Sequence, residues 1–244
     1  MKLHIRRWNG GDRTVLLIHG LFSDSRCWHR MAPELVGRGF TVLAPDLRGH
    51  GLSPRGPYSP AEWAEDLVEN LPTGADLTVG HSLGGLALGI ASERLAARSY
   101  VYLDPAWRIT PEQDRSFGEE WREWLTWTSI DQLQARLGQR WPADDLALRW
   151  DSMWLTDPEA IPGLACGGGY DLSPRNPVAP SLVVAAGPSD FITDAHAVEL
   201  RARGIVVRAV PHSGHSLFRE DLPRLLVIMN EWLGYERAAA PAGS

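Results

Sequence analysis

The sequence predicts an α/β protein with a mostly parallel sheet flanked by helices. Short apolar, β-branched runs are typical of strands buried on both faces, and helix-like patterns alternate with these runs. Such alternation favours βαβ units, which produce parallel sheets. A helix-rich stretch in the middle of the chain interrupts the alternation and predicts an insertion into this α/β core.

Six segments have the strand pattern. They cover residues 14–18, 40–44, 76–79, 100–103, 181–186 and 205–210. Five segments have a helical pattern of apolar positions, and they cover residues 27–36, 60–71, 83–97, 194–203 and 217–233. We therefore assign residues 1–105 and 178–244 to one α/β core.

The stretch from residue 106 to 177 differs from the core in pattern and in composition. It predicts three helices and no clear strand, and it contains seven of the eleven tryptophans. It also carries 12 aspartates and glutamates against 7 arginines, so it holds most of the chain's excess negative charge. We interpret this stretch as a helical lid inserted into the sheet.

Composition and motif content exclude several classes of function. The net charge of −6 argues against a nucleic-acid partner, which requires a basic face. Cys27 and Cys166 do not form a disulfide pattern, and neither a signal peptide nor a transmembrane segment is visible, so a cytoplasmic location without membrane insertion is expected. Metal-ligand spacings and glycine-rich phosphate loops are also missing from the sequence, which predicts cofactor-free and metal-free chemistry.

The strongest chemical signal is Gly80-His81-Ser82-Leu83-Gly84, which directly follows a predicted strand and directly precedes a predicted helix. A serine in this strand–turn–helix context is lifted above the sheet on a sharp turn and becomes an exposed nucleophile. The helix that follows presents unpaired N–H groups at its N-terminus, which suit a developing oxyanion. Ser82 is therefore the predicted nucleophile.

A second loop follows the first predicted strand, at His19-Gly20-Leu21-Phe22. Acyl transfer requires two donors aimed at the oxyanion. The backbone N–H of Leu83 supplies one, and we choose that of Leu21 over that of Phe22 as the other. His19 is interpreted as a structural histidine that holds the loop.

Two further polar loops end predicted strands. His215, after the strand over 205–210, is the predicted base, and His212 is a weaker candidate. Asp190, after the strand over 181–186, is the predicted acid, which gives the chain order Ser, Asp, His that is known for this elbow motif. Asp104, after the strand over 100–103, is the rival for the acid position, and Asp194 is a further alternative.

Together these motifs resemble those of the α/β-hydrolase superfamily over nearly the whole chain outside the insertion. The matching segments are His19-Gly20, Asp46 to Ser53, Gly80 to Gly84, Gly187 to Asp190, and Gly214-His215. The resemblance implies an eight-stranded sheet, a catalytic triad and a lid inserted after the sixth strand.

The expected function is that of a cofactor-free serine hydrolase that cleaves a small, largely apolar carboxylic ester or lactone through an acyl-enzyme. Phe22, Trp124 and Trp154 are the expected substrate-binding residues, because an aromatic lid favours apolar groups. The same triad could also serve hydrolysis of a C–C bond or a thioester. A receptor or signalling protein with vestigial hydrolase activity is the alternative outside the enzyme class.

Overall fold

A seven-stranded sheet forms the centre of the computed structural model, which describes residues 1–137, 140–164 and 168–234. The strands are β1 (Ile5–Trp8), β2 (Arg13–Ile18), β3 (Phe40–Pro45), β4 (Leu77–His81), β5 (Tyr100–Leu103), β8 (Ser181–Gly187) and β9 (Val206–Pro211). Their order across the sheet is β1-β3-β2-β4-β5-β8-β9. Strand β1 pairs antiparallel with β3, and all other pairs are parallel, as the fold class predicted.

Successive residues of the central strands point to opposite faces of the sheet, and both faces are covered. Leu16 and Ile18 of β2 belong to one apolar core, whereas Val15 and Leu17 belong to the other. This burial on both faces explains why the strands are continuous apolar runs instead of alternating ones.

Helices cover both faces of the sheet. The core helices are α1 (Met31–Val36), α2 (Pro60–Asn70), α3 (Leu83–Leu95), α8 (Asp194–Ala202), α9 (Leu217–Glu220) and α10 (Leu222–Leu233). Side chains of α2, α3 and α8 pack in the first core, and those of α1 and α10 pack in the second. The α/β sandwich that results places the carboxyl ends of the parallel strands at one edge, where sites in such sheets form.

The segment between β5 and β8 is helical and is called here the helical insertion (residues 106–177). Its described part contains α4 (Pro111–Trp124), α5 (Ile130–Leu137), α6 (Ala143–Trp154) and α7 (Ala160–Leu164). Two short strands, β6 (Arg108–Ile109) and β7 (Tyr170–Asp171), pair antiparallel at its base. The prediction of three helices and no strand was therefore wrong, because the described part has four helices and two strands. The strands were missed because two residues are too few to produce a periodic pattern.

The sheet differs from the expectation in two respects. Within the described residues it has seven strands instead of eight, so the insertion follows the fifth strand along the chain and not the sixth. Strand β1 was not predicted, since Ile5–Trp8 contains two arginines and lies at an edge of the sheet.

The closing helix is broken at Asp221. Its backbone leaves the helical region, and its carboxylate accepts a hydrogen bond from the N–H of Arg224, which caps α10. Cys27 is a buried free thiol, and burial raises its pKa to about 12, whereas Cys166 lies outside the described residues. In the described ranges, no helix combines the length and the apolar character needed to cross a membrane.

Candidate active site

Ser82 lies on the turn between β4 and α3, with φ 51° and ψ −117°. A positive φ is costly for a residue with a side chain, and such strain persists only where the surroundings enforce it. Close backbone packing enforces the strained turn here, and glycine is what permits that packing. A Cβ on Gly84 would lie 2.4 Å from the carbonyl oxygen of Ile18, and a Cβ on Gly80 would lie 2.8 Å from the carbonyl oxygen of Gly84. The motif therefore lets α3 pack directly against the end of β2, which fixes the turn at Ser82.

Hydrogen bonds hold the backbone of Ser82 on both sides. Its N–H donates to the carbonyl of Leu103 at the end of β5 (3.1 Å), and its carbonyl accepts from the N–H groups of Leu86 and Ala106 (2.9 and 3.2 Å). Leu83 is the first residue of α3, so its N–H has no acceptor within the helix. This N–H stands next to the serine, as the oxyanion prediction requires.

The loop after β2 packs against the same turn. A Cβ on Gly20 would lie 3.0 Å from the Cβ of Ser82, so the backbone on either side of Gly20 runs directly beside the serine. Leu21 follows Gly20, and Phe22 continues the loop with φ 58°. Leu21 and Leu83 thus lie on the two segments that meet at Ser82.

His19 stabilises this loop through both ring nitrogens. Its Nε2 accepts a hydrogen bond from the N–H of Leu47 (2.9 Å), and its Nδ1 donates to the carbonyl of Gly20 (2.9 Å). Burial lowers the pKa of His19. The neutral ring also fits these contacts, because Nε2 must accept from a backbone group that can only donate. These contacts agree with the interpretation of His19 as structural.

His215 forms a short hydrogen bond with a buried carboxylate. Its Nδ1 lies 2.7 Å from Oδ2 of Asp104, and the Asp104 side chain is 1% exposed. Since a carboxylate only accepts, Nδ1 carries the hydrogen and Nε2 is left as the basic nitrogen. The ring is also held between Phe191 and His81, with centroid distances of 4.8 and 4.6 Å, and the His215 carbonyl accepts from Nε2 of His81.

Asp104 is itself fixed by the neighbouring strand. Its Oδ1 accepts from the N–H of Ala186 in β8 (3.1 Å) and from the hydroxyl of Ser189 (2.5 Å). Its backbone φ is 41°, a second strained position at this edge of the sheet. The carboxylate is thus held with one oxygen on β8 and its loop and the other on His215.

At the acid position the structure differs from the prediction. Among the described residues, the carboxylate hydrogen-bonded to His215 belongs to Asp104, whereas Asp190 is exposed and its backbone carbonyl accepts from Gln113. Asp194, the other alternative, is an exposed first residue of α8. Strands β5 and β8 are neighbours, so both loops reach the same edge, but the loop after β8 points Ser189 and not Asp190 at the site.

A cavity of about 290 Å³ opens beside His215. Core and insertion both line it, and the lining includes Asp104, His215, Phe191, Trp124, Arg136 and Arg149. Of the predicted substrate-binding residues, Trp124 lines the cavity and Phe22 packs behind it, with ring centroids 5.9 Å apart. Trp154 was predicted wrongly, because its side chain is 51% exposed and contacts Trp150 at the surface.

Arg149 of α6 was missed by the sequence analysis. Its Nη1 donates to the carbonyls of Leu21 and Phe22 (2.6 and 2.8 Å), and its guanidinium lies 5.4 Å from the ring centroid of Phe22 and 5.6 Å from that of Trp124. A lone arginine in an amphipathic helix normally indicates a solvated face, so the sequence offers no signal for it. The structure makes Arg149 a link between the helical insertion and the loop beside Ser82.

A second contact joins the same two parts. The hydroxyl of Ser152, one turn after Arg149 in α6, donates to the buried carboxylate of Asp24 (2.7 Å). Burial alone would raise the pKa of Asp24, but hydrogen bonds from Arg26 and Ser152 lower it to about 2. This carboxylate is therefore ionised at neutral pH and holds α6 against the segment that follows the β2 loop.

One group of metal-ligand side chains lies elsewhere in the described chain. Ligand atoms of His29, Asp144 and Asp145 lie within 4.8 Å of one another. Asp145 forms ion pairs with Arg30 and Arg219 at 3.2 and 3.6 Å, so its charge is already neutralised by arginines. The group joins α6 to the core and does not contribute to the lining of the cavity beside His215.

Comparison with known proteins identifies the family of this chain. A model of the alpha/beta hydrolase family matches residues 15–227. The chain belongs to the alpha/beta hydrolase family. It has the mostly parallel sheet flanked by helices that this family shares.

Individual members of the alpha/beta hydrolase family match over different lengths. Esterase Rv0045c of Mycobacterium tuberculosis is 29% identical over 91% of this chain and 82% of its own length. Lipase LipV of the same organism is 38% identical, but the match covers 43% of this chain and only 42% of the lipase. The crystal structure of E-2-(acetamidomethylene)succinate hydrolase superposes with a TM-score of 0.81 at 25% identity, covering 95% of each chain.

Proposed function

We propose that this hydrolase is a cofactor-free serine esterase, with Ser82 as nucleophile, His215 as base and Asp104 as acid. The observation that carries the proposal is the 2.7 Å hydrogen bond between His215 and Asp104, at the sheet edge where the Ser82 turn ends β4. Asp104 directly follows β5, the strand paired with β4, so acid and nucleophile follow neighbouring strands. Asp104 takes the role first expected of Asp190.

In the first half of the reaction, the Ser82 oxygen attacks the carbonyl carbon of the ester and its proton moves to Nε2 of His215. Asp104 stabilises the imidazolium through Nδ1. The N–H groups of Leu21 and Leu83 hold the negative oxygen of the tetrahedral intermediate. The bond to the alcohol oxygen then breaks, and His215 gives its proton to the departing alcohol.

In the second half, water attacks the acyl-enzyme and transfers a proton to His215. The bond to the Ser82 oxygen breaks, the carboxylic acid leaves, and His215 returns the proton to the serine. No redox step or additional reactant is required. The relatives named esterase and lipase support a carboxylic ester as substrate, and a lactone has the same reacting bond.

The expectation of an apolar group in the substrate is supported by the aromatic part of the cavity. Trp124 and Phe191 both line it, and Trp124 stacks on Trp127 with centroids 5.5 Å apart. Burial of an apolar group of the substrate against these rings would contribute roughly 25 cal/mol per Å². We therefore propose that an apolar part of the ester packs against Trp124 and Phe191.

Labelling with a fluorophosphonate probe, combined with turnover of p-nitrophenyl esters, tests the proposal. Wild-type protein should be labelled once and should turn over repeatedly. Ser82→Ala should lose labelling and about 10³-fold or more in kcat, because nucleophile and base act as one unit. Ser92→Ala is the matched control, since the Ser92 hydroxyl lies within α3 and donates to the carbonyl of Gly89 in the same helix.

Labelling without repeated turnover would favour the receptor alternative over an enzyme. Full activity of Ser82→Ala would refute the proposed nucleophile.

A further inference from the structure

The guanidinium of Arg149 has an unused edge. Nη1 donates to two backbone carbonyls, but Nε is buried without a hydrogen-bond partner, and within the described residues no partner of Nη2 is found. Carboxylates bind best to such an edge, because two parallel N–H groups match their two oxygens.

The charge of Arg149 is also unbalanced within the described part of the chain, where it has no carboxylate within ion-pair distance. Its partners are neutral carbonyls and the faces of Phe22 and Trp124. Burial, and secondly the positive charge of Arg219, lower the pKa of Arg149 to about 9. A partly buried cation without a counter-ion is costly, and proteins normally pair such a charge.

The acidic side chains of the same cavity do not supply the missing counter-ion. Asp104 is hydrogen-bonded to His215, and Glu220 accepts from the N–H of Gly214 and from the indole of Trp141. Asp190 is exposed. Two other cations line the cavity as well. Arg136 is paired with Glu120, whereas Arg140, like Arg149, forms no ion pair with any described residue.

We infer that the substrate of this hydrolase carries a free carboxylate that binds Arg149 in the cavity beside His215, while its apolar part packs on Trp124. The inference rests on the proposed function and narrows it from esters in general to acid-bearing esters. Arg149 would be a specificity-determining residue. By holding the Leu21 and Phe22 carbonyls, it would also place the bound carboxylate at a fixed position relative to the Ser82 turn.

Two matched pairs of substrates test this inference. Mono-p-nitrophenyl glutarate and p-nitrophenyl pentanoate have acyl chains of the same length with and without a carboxylate. 4-Acetoxybenzoate and its methyl ester place the same difference on the alcohol side. Wild-type protein should prefer the acid in at least one pair by about tenfold or more in kcat/KM, a ratio worth about 1.4 kcal/mol.

Arg149→Met should abolish that preference, and Arg149→Lys, which keeps the charge without the planar fork, should retain part of it. The ratio within a pair is the readout, because damage to the Leu21–Phe22 loop would lower both rates together. Arg115→Met is the control for loss of one positive charge, since Arg115 is exposed on α4 outside the cavity lining.

Equal rates within both pairs for wild-type protein, or a preference that survives in Arg149→Met, would overturn the inference while leaving the esterase proposal intact. If none of these esters is hydrolysed in a Ser82-dependent manner, the proposed function fails instead. The inference is then decided by binding: glutarate should raise the melting temperature of wild-type protein more than glutaramide does, and Arg149→Met should remove the difference. Equal shifts would refute it.

Discussion

Asp104 receives hydrogen bonds at both carboxylate oxygens, and only one of them comes from the histidine. The bonds from Ala186 and Ser189 hold the carboxylate independently of His215. The strained backbone of Asp104 is held by the same contacts. The sequence places both Asp104 and Asp190 at the correct edge of the sheet, but the choice between them depends on how the loop after β8 turns, which no local pattern records.

Substitution of the two aspartates distinguishes them. Asp104→Asn should preserve the fold but favour the wrong tautomer of His215, and it should lower kcat by up to about 10⁴-fold, as in serine proteases. Asp190→Asn should have a far smaller effect, because its side chain is exposed. Steady-state kinetics with one p-nitrophenyl ester measures both, and a larger loss for Asp190→Asn would return the acid to the loop after β8.

The pKa values of two buried histidines, His50 and His19, determine part of the pH dependence of the free energy of unfolding. His50 donates from Nδ1 to the carbonyl of Arg48, and its buried Nε2 has no partner in the described structure. Burial, and secondly the nearby His19, beside which a second imidazolium would be repelled, lower the pKa of His50 to about 3 from an ordinary value of 6.5. His19 is also held neutral, because its Nε2 must accept from Leu47.

Between pH 6.5 and about 3, the unfolded chain binds a proton at residue 50 and the folded chain does not. The free energy of unfolding should therefore fall as pH falls through this window, by about 1.4 kcal/mol per pH unit for a single such histidine. Chemical denaturation at several pH values measures the slope. His50→Asn should have a shallower slope than wild type, and an identical slope would show that His50 does not contribute.

At the scale of elements, predictions were accurate where burial imposes a pattern on several residues. The parallel strands β2, β4, β5 and β8 are buried along almost their whole length, so their apolar runs are visible in the sequence. The sequence did not predict strands β1, β6 and β7, because they are short or half-exposed and are defined by the strands with which they pair. Trp154 was misplaced for a different reason, because a helical pattern does not tell which face of the helix meets the cavity.

The tryptophans of the helical insertion should divide by position. Trp124→Leu should lower kcat/KM and change the preference among acyl chain lengths, because this ring lines the cavity and stacks on Trp127. Trp154→Leu should change neither, because its side chain is half-exposed at the surface. Kinetics over a series of p-nitrophenyl esters tests this, and a Trp154 variant with altered chain-length preference would contradict it.

At the scale of the molecule, the site combines two parts of the chain that are distant in sequence. Ser82, Asp104 and His215 come from the α/β core, and Trp124 and Arg149 come from the helical insertion. The core residues follow strands and were predicted as candidates from their motifs. For the helical insertion, only aromatic residues were predicted to line the site. Arg149 was missed because its lack of an ion-pair partner is visible in the structure and not in the spacing of residues along the sequence.

Chelation is the corresponding test for the whole protein. The proposed mechanism uses only side chains and water, so EDTA should leave kcat/KM for a p-nitrophenyl ester unchanged. The His29, Asp144 and Asp145 group provides the control site: His29→Gln should not make the protein sensitive to chelator. Loss of activity on chelation, with recovery on addition of a divalent metal, would refute the cofactor-free mechanism.

Helix α6 has two attachments to the segment after β2, one from Arg149 to the carbonyls of Leu21 and Phe22 and one from Ser152 to Asp24. Helix α6, which contributes Arg149 to the cavity lining, therefore also holds the loop that contains Leu21, the proposed oxyanion donor. If α6 moved outward to admit a substrate, it would release the backbone that has to bind the tetrahedral intermediate. On the proposed mechanism, substrate entry past α6 and formation of the tetrahedral intermediate would then exclude each other.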